Sequence, residues 1–238
     1  MSNDIRIDTK NFYAKVEKYG GWQEVPSGRR YAIFEELARP ATFGFTAIKP
    51  GRHAREISDD IIHLLALELY KGAVCGLRFG VSLRYFPFPY EPKLRWHRTL
   101  LSARFDLFEE PAPYFADASA PETRGDTTYF ASHMLGETCF REELGRAWDL
   151  AGERILAWFD STRTLDQVLQ KCSEQMIRRW PGPRHWPDAI LVHAFTLART
   201  GRLPEARTGL EKFCVDSSAD PVARGNLSGA LEKIAKPG

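Results

Sequence analysis

The segment that most constrains this chain spans residues 60–86, where two apolar runs are separated by Lys71-Gly72. In the second run every other side chain is apolar: Leu77, Phe79, Val81, Leu83 and Tyr85. The side chains between them are small or basic: Arg78, Gly80, Ser82 and Arg84. Successive side chains of a strand point to opposite faces, so this alternation predicts a strand that buries its apolar face and exposes the other.

The first run, Ile61–Tyr70, is ambiguous by itself, because Ser58-Asp59-Asp60 before it also resembles the N-terminus of a helix. The alternating run that follows Lys71-Gly72 supplies it with a sequential partner. Two apolar runs joined by a short turn are typical of antiparallel strands. We therefore predict that Ile61–Tyr70 is a strand paired with residues 77–85.

The alternation of apolar side chains and the positions of proline predict the structure of the segments that follow. Residues 99–108 fit a strand with one apolar face, formed by Leu101, Ala103, Phe105 and Leu107. The other face would hold mostly polar side chains: Arg98, Ser102, Arg104 and Asp106. Residues 87–95 and 110–126 are predicted to be loops, because proline cannot donate a ladder hydrogen bond. Residues 127–133 are predicted to add a last strand.

Helical periodicity flanks the predicted sheet on both sides. Two short helices are expected before it, around Val16 and around Phe34. After Gly136 the period is helical to the end, starting with one continuous apolar stripe: Phe140, Leu144, Ala147, Trp148, Ala151, Ile155, Trp158 and Phe159. Thr164 and Gln167 match a capping box at the start of the next helix.

This order of elements predicts an α+β fold, with an antiparallel β-sheet covered by helices and followed by an all-helical C-terminal region. We expect residues 1–136 to form the helix-plus-sheet region. Residues 137–238 are expected to form a helical region packed on the sheet, within one continuous domain. Residues 187–238 would be a helical-hairpin appendage.

The composition indicates a globular protein without a long-range electrostatic field. Lys and Arg number 33 against 31 Asp and Glu, a net charge of +2, which makes nucleic acid an unfavoured partner. No stretch approaches the ~20 apolar residues that cross a bilayer, and the first six residues lack the apolar core of a secretion signal. We therefore expect a cytoplasmic protein without membrane contact.

No motif predicts a catalytic residue, a metal site or a cofactor. The cysteines are widely spaced and favour buried, reduced thiols: Cys75, Cys139, Cys172 and Cys214. No histidine has another histidine three or four residues away, and His63 is expected to be a hydrogen-bonded core residue. A hydrolase or transferase with a loop-assembled site is an alternative, for which a pocket would be lined by His97, His133, Asp106 or Glu109.

Two predicted loops carry the residue types that anchor binding surfaces. The first interleaves basic and aromatic side chains: Arg178, Arg179, Trp180, Arg184, His185 and Trp186. The second holds Arg95, Trp96 and His97. Tryptophan and arginine are enriched at interface hot spots, and basic–aromatic surfaces also stack on nucleic-acid bases. The near-neutral charge favours a protein partner, and a rigid interhelical connection or solvated strand ends are the structural alternatives.

Several short segments within residues 31–176 carry a family resemblance: Phe34-Glu35-Glu36-Leu37, Gly44-Phe45, the alternation of residues 77–85, residues 156–161 and Thr164-Leu165. In these the chain resembles a bacterial family of uncharacterised domains, with a short helix before an antiparallel sheet and helices after it. Members are often found near toxins, so the resemblance implies an immunity protein that neutralises a cognate toxin. Residues 198–206 resemble the turn of a single tetratricopeptide-type helical hairpin.

The sequence thus predicts a non-enzymatic cytoplasmic protein that binds another protein, with a bacterial toxin as the partner that the resemblance implies. The net charge of +2 disfavours a basic nuclease as that toxin, because inhibitors of basic nucleases are commonly acidic. The alternatives are the enzyme described above and a helical-hairpin scaffold that recruits peptides along residues 190–213.

Overall fold

The structure, a computed structural model, describes residues 9–70, 74–90, 93–97, 99–109, 130–177 and 187–235. In these residues it has the predicted α+β fold, with an antiparallel sheet and a helical C-terminal region. The strands are β1 (Thr46–Lys49), β2 (Arg52–Glu56), β3 (Ile61–Tyr70), β4 (Val74–Leu83), β5 (Pro87–Tyr90), β6 (Lys93–Trp96), β7 (Leu107–Glu109) and β8 (Phe130–Ser132). The helices are α1 (Thr9–Lys18), α2 (Ser27–Ala38), α3 (Gly136–Asp160), α4 (Leu165–Ile177), α5 (Ala189–Arg199), α6 (Leu203–Asp216) and α7 (Pro221–Ala235).

The main sheet has the strand order β1-β2-β3-β4-β7, and β8 also pairs with β4. Antiparallel pairing places Gly80 of β4 opposite Phe108 of β7, and Cys75 of β4 opposite Ala131 of β8. The prediction that Ile61–Tyr70 is a strand is therefore confirmed, and so is the strand that follows it. The predicted turn at Lys71-Gly72 lies outside the described residues.

The chain divides into two compact units. The first unit contains residues 1–53, 65–78 and 110–156, and the second unit contains residues 54–64, 79–109 and 157–238. β3 and β4 each contribute residues to both units. The division of the chain at residue 136 stays a prediction.

The core of the first unit draws on α2 and on the predicted apolar stripe of α3. Ile33 and Phe34 of α2 are fully buried. The α3 residues of this unit that lie in the core include Cys139, Phe140, Leu144, Ala147, Ala151 and Ile155. α1 is held on α3 by polar contacts, in which Lys15 Nζ donates to Glu143 Oε1 at 2.6 Å. None of the helices that the structure describes is long and apolar enough to cross a membrane.

The core of the second unit is aromatic. The Phe79 ring meets Trp158 and Phe159 edge to face, with ring centroids 5.3 and 6.2 Å apart. Most of α5 is buried: Leu191, Val192, Ala194, Phe195, Thr196, Leu197 and Ala198. Buried Tyr85 and Thr196 share a hydrogen bond of 2.8 Å between their hydroxyls. α5 therefore fills the interior of this unit.

Local hydrogen bonds confirm the predicted start of α4. Gln167 N–H donates to Thr164 Oγ1, and Thr164 N–H donates to Gln167 Oε1, which is the predicted capping box.

The strand predicted over residues 99–108 is wrong for most of its length. Thr99 and Ser102 cap a 3-10 turn instead, and only Leu107–Glu109 is a strand. Leu101, predicted to be buried, is 69% exposed on that turn.

The loop predicted over residues 87–95 is also wrong, because β5 and β6 form a two-stranded antiparallel ribbon there. Proline is tolerated in an edge strand, whose outward N–H groups have no partner to lose. The predicted loop at residues 110–126 lies outside the described residues. Of the strand predicted over residues 127–133, Phe130–Ser132 is β8.

The predicted exposure of one face of β4 is wrong around Ser82. The five apolar residues of the alternation are buried as predicted, but Gly80 and Ser82 are buried too. Asp106, placed by the sequence on the polar face of the next predicted strand, is 1% exposed. Residues before β7 cover this part of β4, since Arg104 N–H donates to Ser82 Oγ at 3.1 Å. Both faces of the strand are therefore covered here.

Candidate functional site

The structure describes one of the two predicted binding segments. Arg95 and Trp96 end β6, and His97 follows them. The residues of the other segment lie outside the described residues: Arg178, Arg179, Trp180, Arg184, His185 and Trp186. The geometry of a candidate site is therefore built on the ribbon of β5 and β6.

The ribbon sets the faces on which its side chains lie. In the antiparallel register, Phe88 is opposite Arg95 and Pro87 is opposite Trp96. Residues directly opposite each other lie on the same face of a two-stranded sheet, and neighbours in sequence lie on opposite faces. Phe88 and Arg95 therefore share one face, and Trp96 lies on the other.

Cations lie over the aromatic rings of the ribbon. The Arg104 guanidinium carbon is 4.5 Å from the centroid of the Phe88 ring, and the His97 ring meets Phe88 edge to face at 6.0 Å. Lys233 of α7 places Nζ 6.0 Å from the centroid of Trp96. A cation within about 6 Å of a ring face is attracted by the ring quadrupole. We call the residues on both faces of the ribbon the cation–aromatic cluster: Phe88, Arg95, His97 and Arg104 on one face, and Trp96 and Lys233 on the other.

The cation–aromatic cluster is open to solvent. Arg95 and Lys233 are exposed, and the other four residues are half-buried. Leu101, on the 3-10 turn between β6 and Arg104, adds an exposed apolar side chain to this segment. Large planar side chains with partial exposure can contact a partner and lose little conformational entropy in doing so.

The basic residues that the structure describes in the second unit differ in whether a carboxylate pairs with them. Arg84 pairs with Glu56, and Arg199 pairs with Asp60 at 3.0 Å. Within the part of the chain that the structure describes, neither Arg104 nor Lys233 forms an ion pair with a carboxylate. Arg104 and Lys233 are thus positive charges that the carboxylates of the described residues leave unpaired.

Asp106 is a buried carboxyl group close to the cluster. Its Oδ2 accepts the Leu83 N–H at 2.7 Å and the Ser82 hydroxyl at 3.4 Å. Burial raises the pKa of Asp106 to about 8, although these hydrogen bonds and the charge of Arg104 act in the opposite direction. Asp106 is therefore mostly uncharged at neutral pH, and it accepts hydrogen bonds from the backbone of Leu83 and the hydroxyl of Ser82.

The residues named for an enzyme site are divided between the two units: Asp106, His97 and Glu109 belong to the second and His133 to the first. A hollow of about 250 Å³ lies between α6 and α7, and one of about 420 Å³ lies beside Phe43 and Trp148 in the first unit. Neither hollow is lined by any of those four residues. Among the described residues, no group of histidine, cysteine or acidic side chains could hold a metal ion.

The buried cysteines and His63 have environments that suit a core. Burial raises the pKa of Cys75 and Cys139 to about 11, so neither is a thiolate at neutral pH. His63 is buried, and its Nε2 lies 3.1 Å from the Thr162 carbonyl oxygen, as expected of a hydrogen-bonded core histidine.

Sequence reasoning missed three members of the cation–aromatic cluster. Phe88 fell in the predicted loop, Arg104 in the predicted strand, and Lys233 is far away in sequence. The signal that could have located the ribbon is the alternation of Phe86, Phe88 and Tyr90 before Leu94 and Trp96, which the prolines obscured. No family model matches the chain, and no curated protein or solved structure matches it either.

Proposed function

We propose that this protein is a non-enzymatic binding protein whose partner is another protein, and that the cation–aromatic cluster is the contact surface. The observation that carries the proposal is the half-exposed stacking of Arg104 on Phe88, on the face of the ribbon that also carries exposed Arg95. Tryptophan and arginine supply a large share of the binding energy at protein interfaces, because they bury much area at one place.

The order of the ribbon supports the same proposal. An isolated two-stranded hairpin is at best marginally stable in water. Here α7 contacts β6, and Arg104 lies over the ring of Phe88. A surface that is already ordered loses less entropy on association, which favours binding.

The finer proposal, that the partner is a bacterial toxin met in the cytoplasm, rests on the family resemblance alone. That resemblance lies in residues 31–176, outside α7. Identifying the bound protein therefore tests the toxin proposal separately from the proposal of protein binding.

Site-specific photo-crosslinking in the native host tests protein binding. A photoreactive amino acid at position 95, which is exposed, is expected to give one discrete protein adduct. The same amino acid at exposed Val215 on α6 is expected to give none. Trp96→Ala should abolish the adduct, whereas Trp22→Ala, which removes a 61% exposed tryptophan in the first unit, should leave it intact.

Two results would contradict the proposal. One is an equal pattern of adducts from positions 95 and 215. The other is an adduct that survives Trp96→Ala while circular dichroism and the unfolding midpoint show a native fold. Mass spectrometry of the adduct then names the partner, and a protein that is not a toxin would overturn the finer proposal only.

A further inference from the structure

We propose that His63 and Arg55 form an acid-sensitive contact inside the second unit, in which neutral His63 holds Arg55 through Nδ1 and protonation of Nδ1 releases Arg55. Arg55 lies in β2 and His63 lies in β3, and both belong to this unit. Neither residue is part of the cation–aromatic cluster, so the contact is separate from the proposed binding surface.

The two ring nitrogens of His63 face partners of opposite kinds. Arg55 Nη2 lies 3.1 Å from Nδ1, and a guanidinium can only donate, so Nδ1 must accept. The Thr162 carbonyl oxygen lies 3.1 Å from Nε2 and can only accept, so Nε2 must carry a proton. His63 is therefore the neutral tautomer with its proton on Nε2.

The hydroxyl of Thr162 agrees with this tautomer. It donates to carbonyl oxygens at the end of α3, which lie 3.1 Å away on Trp158 and 3.2 Å away on Phe159. The hydroxyl oxygen lies 3.2 Å from Nε2 of His63, where it can accept. Because Nε2 already carries a proton, a second proton can be added to the ring only at Nδ1, the atom that faces Arg55.

Protonation of Nδ1 replaces a hydrogen bond by two donors that face each other. The two side chains are then both cations, and they repel each other. The His63 ring is fully buried, whereas Arg55 is half-buried with its guanidinium carbon 5.9 Å from the centroid of the Phe159 ring. Arg55 is therefore the partner that can move towards water, and the contact is lost from its side.

The charged groups around His63 keep the contact intact at neutral pH. Burial lowers the pKa of His63 to about 4, and the positive charges of Arg55 and Arg163 act in the same direction. The hydrogen bond to Thr162 and the charge of Asp160 act in the opposite direction. Asp160 is paired with Arg163 at 2.8 Å, and protonation of His63 adds a positive charge beside the two arginines. We therefore expect the release of Arg55 only in acid.

Long-range ¹H–¹⁵N NMR on the full chain tests the tautomer. At neutral pH, the ¹⁵N shift of His63 Nδ1 should be that of an unprotonated nitrogen, and the shift of Nε2 that of a protonated one. The signals that His63→Gln lacks identify this residue. In acid, Nδ1 should take up a proton with a midpoint of about pH 4.

Removal of the guanidinium tests the contact. In Arg55→Met the midpoint of His63 should rise by about 0.5–1 pH unit, because a neighbouring positive charge is lost. Arg199→Met removes an arginine of the same unit that pairs with Asp60, and it should shift the midpoint by less than about 0.2 pH unit.

The Nε–H signal of Arg55 reports the release. In the wild type, its heteronuclear ¹H–¹⁵N NOE should fall with the midpoint of His63 protonation, as the side chain becomes mobile. His63→Gln keeps an acceptor for Arg55 and a donor for the Thr162 carbonyl oxygen but cannot titrate. The Arg55 signal should therefore stay constant in this variant over the same pH range. Circular dichroism at each pH follows the global fold.

Three results would overturn the inference: a proton on Nδ1 at neutral pH, an unchanged midpoint in a folded Arg55→Met, or an equal loss of Arg55 order in the wild type and His63→Gln. The third result includes a global unfolding that releases Arg55 in both proteins. Should Arg55→Met fail to fold, the tautomer and the comparison with His63→Gln still decide the outcome. None of these measurements involves a binding partner, so they leave the proposed function untouched.

Discussion

Asp106 and Leu83 are joined by a hydrogen bond of 2.7 Å, in which the Leu83 backbone N–H donates to the carboxyl Oδ2. Main-chain pairing between β4 and β7 extends only to Val81 and Leu107, and Asp106 N–H donates to Val81 O at 2.9 Å. The Asp106 side chain thus supplies the acceptor for the next N–H of β4. A protonatable group therefore completes the end of a buried strand.

Asp106→Asn should remove a pH dependence of stability between about pH 6.5 and 8. The folded protein holds the Asp106 proton up to about pH 8, whereas an unfolded aspartate releases it near pH 4. The folded state therefore binds more protons, and the free energy of unfolding should fall as the pH rises, by roughly 1 kcal/mol per pH unit. Urea unfolding at several pH values measures this slope.

Asparagine keeps an acceptor for the Leu83 N–H and cannot ionise. The free energy of unfolding of Asp106→Asn should therefore change less with pH than that of the wild type. Asp149→Asn changes an exposed carboxylate in the same way and should leave the wild-type slope unchanged. A wild-type slope in Asp106→Asn would mean that another group titrates in this window.

His63→Gln should extend the slope that Asp106 produces to pH values below 6.5, where His63 contributes a slope of opposite sign in the wild type. Burial lowers the pKa of His63 to about 4, so between about pH 4 and 6.5 the unfolded chain binds a proton that the folded state does not. His63 therefore destabilises the fold as the pH falls, while Asp106 stabilises it. Removing His63 should leave a fold whose free energy of unfolding rises as the pH falls from about 6.5 to 4.

A double variant, His63→Gln with Asp106→Asn, checks whether these two residues cause the two slopes. Both slopes have then been removed, so urea midpoints should change little between about pH 6.5 and 8. Burial also lowers the pKa of His193, so the midpoints should still fall as the pH falls below about 6.5. The single His63→Gln variant also loses the ring that stacks on Phe159 at 4.8 Å, so it should be less stable at pH 7. An unaltered slope in His63→Gln would contradict the assignment.

Ser82→Asp should destabilise the fold about as strongly as Val81→Asp. Ser82 is fully buried, and its hydroxyl accepts the Arg104 N–H and contacts the Asp106 carboxyl. A second carboxyl at this place would be buried without a cation, at a cost of about 2–5 kcal/mol. Ser228→Asp, on the exposed side of α7, should change the free energy of unfolding by less than about 0.5 kcal/mol. Equal stability of Ser82→Asp and Ser228→Asp would contradict the burial.

Gly80→Ala should destabilise the pairing of β4 with β7. A Cβ at Gly80 would lie 2.4 Å from Leu107 O and 2.7 Å from Phe108 Cβ, so strand separation or bending must follow. We expect a loss of about 1–3 kcal/mol in the free energy of unfolding. Gly229→Ala in α7 meets no atom within 4 Å and should stabilise by about 0.5–1 kcal/mol. Thermal unfolding of both variants distinguishes a steric cause from a general effect of alanine.

Features encoded by neighbouring residues could be predicted from the sequence. The apolar stripe of α3 and the capping box of Thr164 and Gln167 depend on spacings of three and four residues, and both are present. The burial of β3 and β4 likewise follows from residues within each strand. These signals need no knowledge of the rest of the chain.

Features that depend on distant residues were missed. Ser82 faces solvent in an isolated alternating strand, and its burial arises because Arg104 and Asp106 return to cover it. The cation–aromatic cluster likewise needs Lys233 beside Trp96, which no local spacing indicates. Local patterns in the sequence thus predict part of the fold, whereas the candidate site is formed by residues that are far apart in the sequence.

The interleaving of the two units has a consequence for synthesis on the ribosome. The chain passes between the units five times, at residues 53/54, 64/65, 78/79, 109/110 and 156/157. A nascent chain that has emerged as far as residue 109 holds an incomplete set of segments for each unit. The apolar residues of β3 and β4 then remain unburied until the later segments of each unit have been translated.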